Sequence, residues 1–163
     1  MSNKVGLAIR ELHRSENELA AALLRASDRH QTDHDLFYLG RDLAKWSQEH
    51  VRQLAEHGSN YGVDLDAEPA EEPGPIAAMR QKGAELLDGH HDPSLLLLKD
   101  LREIHLKAAG VSLDWEILAQ TAQALKDQEL LELTKTSHPQ TLRQLRWANA
   151  SLKIHAAQIM VTP

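Results

Sequence analysis

Glu16, His50 and Glu116 are the residues of this chain whose type and position could do chemistry. Each interrupts an apolar helical stripe. Glu16 falls between Leu12 and Leu19, His50 lies one turn beyond Trp46, and Glu116 sits between Leu113 and Ile117, next to Trp115. A carboxylate taken out of water costs several kcal/mol unless it is paired or bound to metal. One candidate ligand from each of three helices, near the middle, is the pattern a metal site in a bundle core needs. The same residues also have a plainer reading. A polar residue at the edge of a stripe is half solvated, and Glu16 and His50 can hydrogen-bond each other and so fix helix register.

Other chemistries are poorly provided for. The chain has no cysteine, which excludes disulfides, zinc–thiolate sites, iron–sulfur clusters and thiol nucleophiles. It has ten histidines. His90-His91, with Asp88 and Asp92, sits in a loop that could hold a divalent ion weakly. His13, His30, His34 and His138 fall on helix faces or ends and are expected to be exposed. His57, His105 and His155 lie near the stripes without an acidic residue at convincing spacing. No phosphate-binding loop, dinucleotide fingerprint or nucleophile elbow is present. Arg143, Arg146 and Lys153 are too sparse for nucleic-acid binding.

The elements that must carry these residues read as helices. Ile9, Leu12, Glu16, Leu19, Leu23 and Ala26 recur at steps of three and four, which predicts a helix from about Lys4 to about Arg29. His30 to Asp33 is a short connection, with Thr32 or Asp33 as the next N-cap. A second helix is predicted from about His34 to about Asn60, with Leu36, Leu39, Leu43, Trp46, His50 and Leu54 on one face. Tyr61 to Pro75 is an acidic linker punctuated by Pro69, Pro73, Gly74 and Pro75. A short helix from Ile76 to about Leu87 follows, and then a break from Asp88 to Pro93.

The third helix is predicted from about Ser94 to Leu125 behind an Asp92 N-cap. Gly110 in its middle suggests a bulge or a close helix contact. The fourth is predicted from about Gln128 to Met160, with Leu130, Leu133, Leu142, Leu145, Ala148, Leu152, Ile154 and Ile159 as its apolar residues and a kink or break at Ser137-His138-Pro139, because proline has no N–H to give. Two hairpins joined by one long crossover predict an all-α, antiparallel four-helix bundle, a single domain over residues 1–163.

Composition agrees. Hydrophobic residues make up 42% of the 163 and aromatics only 4%, a diet of Leu, Ala, Ile and Val that suits helices better than sheets. The net charge of −6 argues against a nucleic-acid surface. The longest apolar run, Leu95 to Leu98, is far short of the ~20 residues that span a bilayer. Met1 to Arg10 lacks the apolar stretch of a signal peptide, so a cytoplasmic protein is expected.

Four segments carry a resemblance. Glu11-Leu12-His13-Arg14-Ser15-Glu16-Asn17-Glu18-Leu19, Glu49-His50-Val51-Arg52-Gln53-Leu54, Asp114-Trp115-Glu116-Ile117-Leu118 and Pro139 to Trp147 resemble the four helix motifs of ferritin-like proteins, most nearly the small bacterial stress-associated group. The resemblance implies a ferritin-like bundle with one long crossover carrying a short helix. It also implies a position for each ligand of a di-iron site, which takes a Glu from each of two helices and Glu-x-x-His from each of the others. Glu16 then stands for the first-helix Glu, His50 for the second-helix His and Glu116 for the third-helix Glu.

The departures matter more. Ser47 stands where a bridging Glu belongs, Gln140 replaces the fourth-helix Glu and Arg143 its His; the chain holds no Glu-x-x-His. Two irons ~3.5–4 Å apart need bridging anions, which Ser47 and Gln140 do not supply. On this alignment Arg143 would pair with Glu116, with Gln140 as a hydrogen-bond partner.

The reading is therefore a non-catalytic ferritin-like bundle with no expected cofactor. It acts through protein association as a homodimer, and the resemblance adds a stress-related role. The alternative is a metal-binding protein or oxidase with a degenerate or mononuclear iron or other divalent-metal site at Glu16, His50 and Glu116. Ligand binding in the bundle core is a third possibility.

Overall fold

In a computed structural model, which describes residues 3–70 and 92–163, the chain forms four long helices. They are α1 (Lys4–Arg29), α2 (His34–Gly58), α3 (Pro93–Leu125) and α4 (Gln128–Ile159). A single 3-10 turn, Ser59–Tyr61, extends α2. The expected short helix over residues 76–87 and the His90-His91 loop lie outside the described residues.

Each helix starts where a side chain satisfies its first free N–H groups. Asn3, Asp33, Asp92 and Asp127 accept from the backbone of Gly6, Leu36, Ser94 and Leu130. Pro93 follows Asp92 as the first helical residue, where its missing N–H costs nothing. The tight α3–α4 turn places Lys126 in the left-handed region, φ 57°, and its N–H reaches back to the carbonyls of Ala122 and Gln123.

α1 and α2 form one antiparallel hairpin, α3 and α4 the other. The ion pairs Glu18–Lys107, Arg25–Glu103 and Arg29–Asp100 run in opposite numerical directions, so α1 is also antiparallel to α3. α2 and α3 are therefore parallel, and the chain between them must return along the length of the bundle. That return begins at Gly62, whose φ of 73° favours glycine. Val63 then packs over Gly58, where a Cβ would come within 2.9 Å of its methyl group. Beyond it, His13 Nε2 bonds the Asp66 carbonyl at 2.8 Å and Ala70 N–H donates to Asn17 at 3.0 Å. The start of the acidic linker is laid along α1.

The core is built from Ile9, Leu12, Leu19 and Leu23 of α1, Leu54 of α2, Leu101, Ile104 and Trp115 of α3, and Leu130 of α4, all fully buried. Four expectations need correction. Leu39 and Ile154 are exposed, not part of the inner stripes. α4 runs unbroken through Pro139, because the proline and Lys135, whose carbonyl loses its partner, both face solvent. Gly110 marks neither a bulge nor a close contact; a Cβ there would meet nothing within 4 Å. Beyond the first turns of α4 the fully buried positions are Ser137, Thr141, Gln144 and the expected Ala148, while Leu145 and Leu152 pack half-buried against the core and Leu142 is only half-buried. Among the described residues no helix is long and apolar enough to cross a membrane.

Candidate functional site

Glu16 and His50 meet in the centre of the bundle. α1 turns Glu16 inward with Leu12 and Leu19, and α2 turns His50 inward with Ser47 and Leu54. His50 Nδ1–H donates to Glu16 Oε1 at 3.0 Å, and Trp115 Nε1–H of α3 donates to the same oxygen at 2.9 Å. The Trp115 and His50 rings stand edge to face, 5.5 Å apart. On its other side His50 Nε2 bonds Gln140 Oε1 of α4 at 2.7 Å. All four helices thus contribute one polar group to a single chain of bonds.

Burial works against a charge on His50. The hydrogen bond and the negative charge of Glu16, the bond to Gln140 and the charge of Glu49 outweigh it, so the ring's pKa is raised above the ordinary histidine value. A charged imidazolium has two N–H donors and no acceptor, which matches an acceptor on each side. One turn away, Gln144 Nε2 donates to the Leu43 carbonyl at 2.8 Å and to Ser47 Oγ at 2.9 Å. Four buried oxygens in this region, Glu16 Oε2, Ser137 Oγ, Thr141 Oγ1 and Gln144 Oε1, have no hydrogen-bond partner among the described residues.

Glu116 does not join them. It lies on the exposed face of α3, while its neighbour Trp115 takes the core position. One residue along a helix is a turn of 100°, and the large apolar ring wins the inward place over the carboxylate. The same one-residue offset moves Arg143 outside and Gln144 inside, so the expected Arg143–Glu116 ion pair is absent. Gln140 bonds His50 instead.

The residues present do not fit a di-iron group. Ser47 and Gln140 are neutral, Glu116 and Arg143 face outward, and both nitrogens of His50 are engaged. Among the described residues no group of three or more His, Asp or Glu side chains is placed to hold a metal ion.

A second buried polar cluster went unread in the sequence. Asp100 lies inside α3 and accepts from His30 Nε2 at 2.8 Å and from Arg29 at 2.9 Å. His30 is therefore buried, contrary to expectation. The signal was present: Asp100 sits at helical spacing between Leu97 and Ile104. His155 likewise finds a partner, Asp33, 3.1 Å away across the end of the bundle, a pairing that spacing along the chain cannot reveal. His138 bonds Ser112 at 2.8 Å, and His34 is exposed as expected.

No protein-family model, curated protein or solved structure matches this chain.

Proposed function

We propose that this chain is a non-catalytic bundle of the ferritin-like kind that acts by associating with a second copy of itself. The observation that carries the non-catalytic part is His50, the strongest chemical group in the interior. Glu16 and Gln140 take both its ring nitrogens, and it is only 1% exposed. The connectivity, two antiparallel hairpins with one lengthwise crossover, supports the ferritin-like reading. In place of bridging carboxylates, this bundle has a hydrogen-bonded network that ties the helices together. A role in stress rests on the resemblance of the four helix segments alone.

Elemental analysis of protein purified without a His-tag is the direct test. The expected result is far less than one transition-metal ion per chain and no rise in melting temperature on adding micromolar iron. About two irons per chain, with ferroxidase turnover that depends on Glu16, would overturn the proposal. The metal-binding alternative retains one supporting observation, the unpartnered Oε2 of Glu16. It wins if micromolar metal stabilises the parent protein but not Glu16→Gln.

A further inference from the structure

The outer face of α3 is apolar in a way the other helices do not share. Leu106, Leu113 and Ile117 are 52%, 62% and 58% exposed. With Gly110 they follow steps of four, three and four, so all four lie on one stripe. The stripe is opposite the buried positions Ile104, Ala108, Val111, Trp115 and Leu118. Large apolar side chains clustered on one face of a helix mark an interaction surface rather than ordinary exposed residues.

Two features of this stripe say what covers it. The first is shape. Gly110 leaves a notch between Leu106 and Leu113 in which a Cβ would touch nothing within 4 Å. The notch opens into a groove whose α1 wall is Ser15 and Glu18. The second is charge. Arg102 and Lys107 flank the N-terminal half of the stripe, on opposite sides, and Glu116 and Asp114 flank the C-terminal half on the corresponding sides. Asp114 is half-buried, and burial, more than its neighbours, raises its carboxyl above the ordinary range, so a cation brought to it would be favoured.

We propose that two copies of this chain pair through α3, antiparallel, about a two-fold axis that passes between Gly110 and Leu113. In that register Leu106 of one copy meets Ile117 of the other, and Leu113 enters the notch at Gly110. Lys107, which lies 3.8 Å from Glu18 and 3.9 Å from Glu103 of its own chain, also faces Asp114 of the second copy, and Arg102 faces Glu116. In a parallel pairing, basic halves would face basic and acidic halves acidic. A residue set that complements itself only when reversed is the mark of an isologous contact between identical chains. The proposal rests on the association reading above and names its surface. The stripe from Leu106 to Ile117 is only ~16 Å long and about one helix diameter, ~10 Å, wide, a footprint far below the ~800 Å² per partner of a standard interface, so the dimer is expected to dissociate on dilution.

Sedimentation equilibrium over a range of concentrations tests this. The parent chain is expected to show a monomer–dimer equilibrium. Gly110→Leu fills the notch without touching the protein's own core and should weaken dimerisation at least tenfold while circular dichroism and melting stay those of a folded bundle. Lys107→Asp should weaken it as well, and Lys107→Asp combined with Asp114→Lys should restore it. A dimer indifferent to Gly110→Leu and to the charge swap overturns this surface and leaves the association reading standing. A parent that stays monomeric at every concentration, as it would if the chain's own residues 71–91 covered the stripe, overturns both.

Discussion

Glu16 places two carboxylate oxygens where water does not reach, and the two differ. Oε1 accepts from His50 and Trp115, whereas Oε2 has no hydrogen-bond partner among the described residues. Glu16→Gln keeps an acceptor for both donors and should cost about 1 kcal/mol. Glu16→Leu strands the Trp115 and His50 Nδ1 N–H groups together, and should cost about 3 kcal/mol or more. Urea denaturation measures both, and a Glu16→Leu protein as stable as the parent would remove the network from the account. Thr141 gives the converse case. Its hydroxyl is buried without a protein partner, so Thr141→Val replaces an unsatisfied group by a methyl of the same shape. That change should stabilise the fold by about 1 kcal/mol; a loss of stability would mean that the hydroxyl is bonded after all. At this scale the sequence was legible where one polar residue stood alone between Leu residues, as Glu16 and His50 do. It failed where two neighbours competed for one inward position, as Trp115 and Glu116 do, and as Arg143 and Gln144 do. Periodicity fixes a stripe to within about one residue, and side-chain size and solvation decide the remainder.

Helix α4 shows how far an element can depart from its local signals. Its sequence contains Pro139, and its inward positions beyond Thr134 are Ser137, Thr141, Gln144 and Ala148. Neither feature favours a continuous buried helix, yet the helix holds for 32 residues. The proline is tolerated because it lies on the solvent side, where the unpaired carbonyl of Lys135 can be hydrated. Pro139→Ala restores a backbone bond and removes the ring's clash, while giving the unfolded chain more freedom. The net expectation is a gain of about 1–2 kcal/mol, read as a higher urea midpoint with an unchanged slope. No gain would show that the helix is locally distorted around the ring. The other three helices were legible nearly to their ends, because an Asn or Asp cap preceded a regular apolar stripe in each. The packing of the crossover's first residues against α1 was not legible. It depends on Gly58 leaving room for Val63 and on bonds from His13 and Asn17, all contacts between residues far apart in sequence.

The two hairpins do not pack alike along their two shared seams. α1 and α3 meet through apolar side chains and three ion pairs, Glu18–Lys107, Arg25–Glu103 and Arg29–Asp100. α2 and α4 touch least of the neighbouring pairs, and polar bonds join them: His50 to Gln140, and Gln144 to Ser47 and the Leu43 carbonyl. His50 therefore bonds the first hairpin to the second and, through Glu16, joins the two helices of its own hairpin. Its protonation should register in the stability of the whole molecule. The groups that face it are Glu16 from α1, Glu49 from its own helix, Trp115 from α3 and Gln140 from α4. Since the folded-state pKa of His50 is raised above the unfolded value, the folded protein binds the proton more tightly than the unfolded chain. The stabilisation is fully present below the ordinary histidine pKa of about 6.5. It is lost as pH rises through the folded value. Urea unfolding at fixed protein concentration, from pH 6 upward, should show stability falling by at most about 1.4 kcal/mol per pH unit from this one proton, then levelling once the ring is neutral. In His50→Gln, which cannot titrate, this slope should vanish. A parent and a His50→Gln variant with the same pH dependence would mean that His50 is neutral throughout, with Gln140 turned to donate from its amide. The bundle would then be joined by an uncharged hydrogen bond rather than by a buried ion pair.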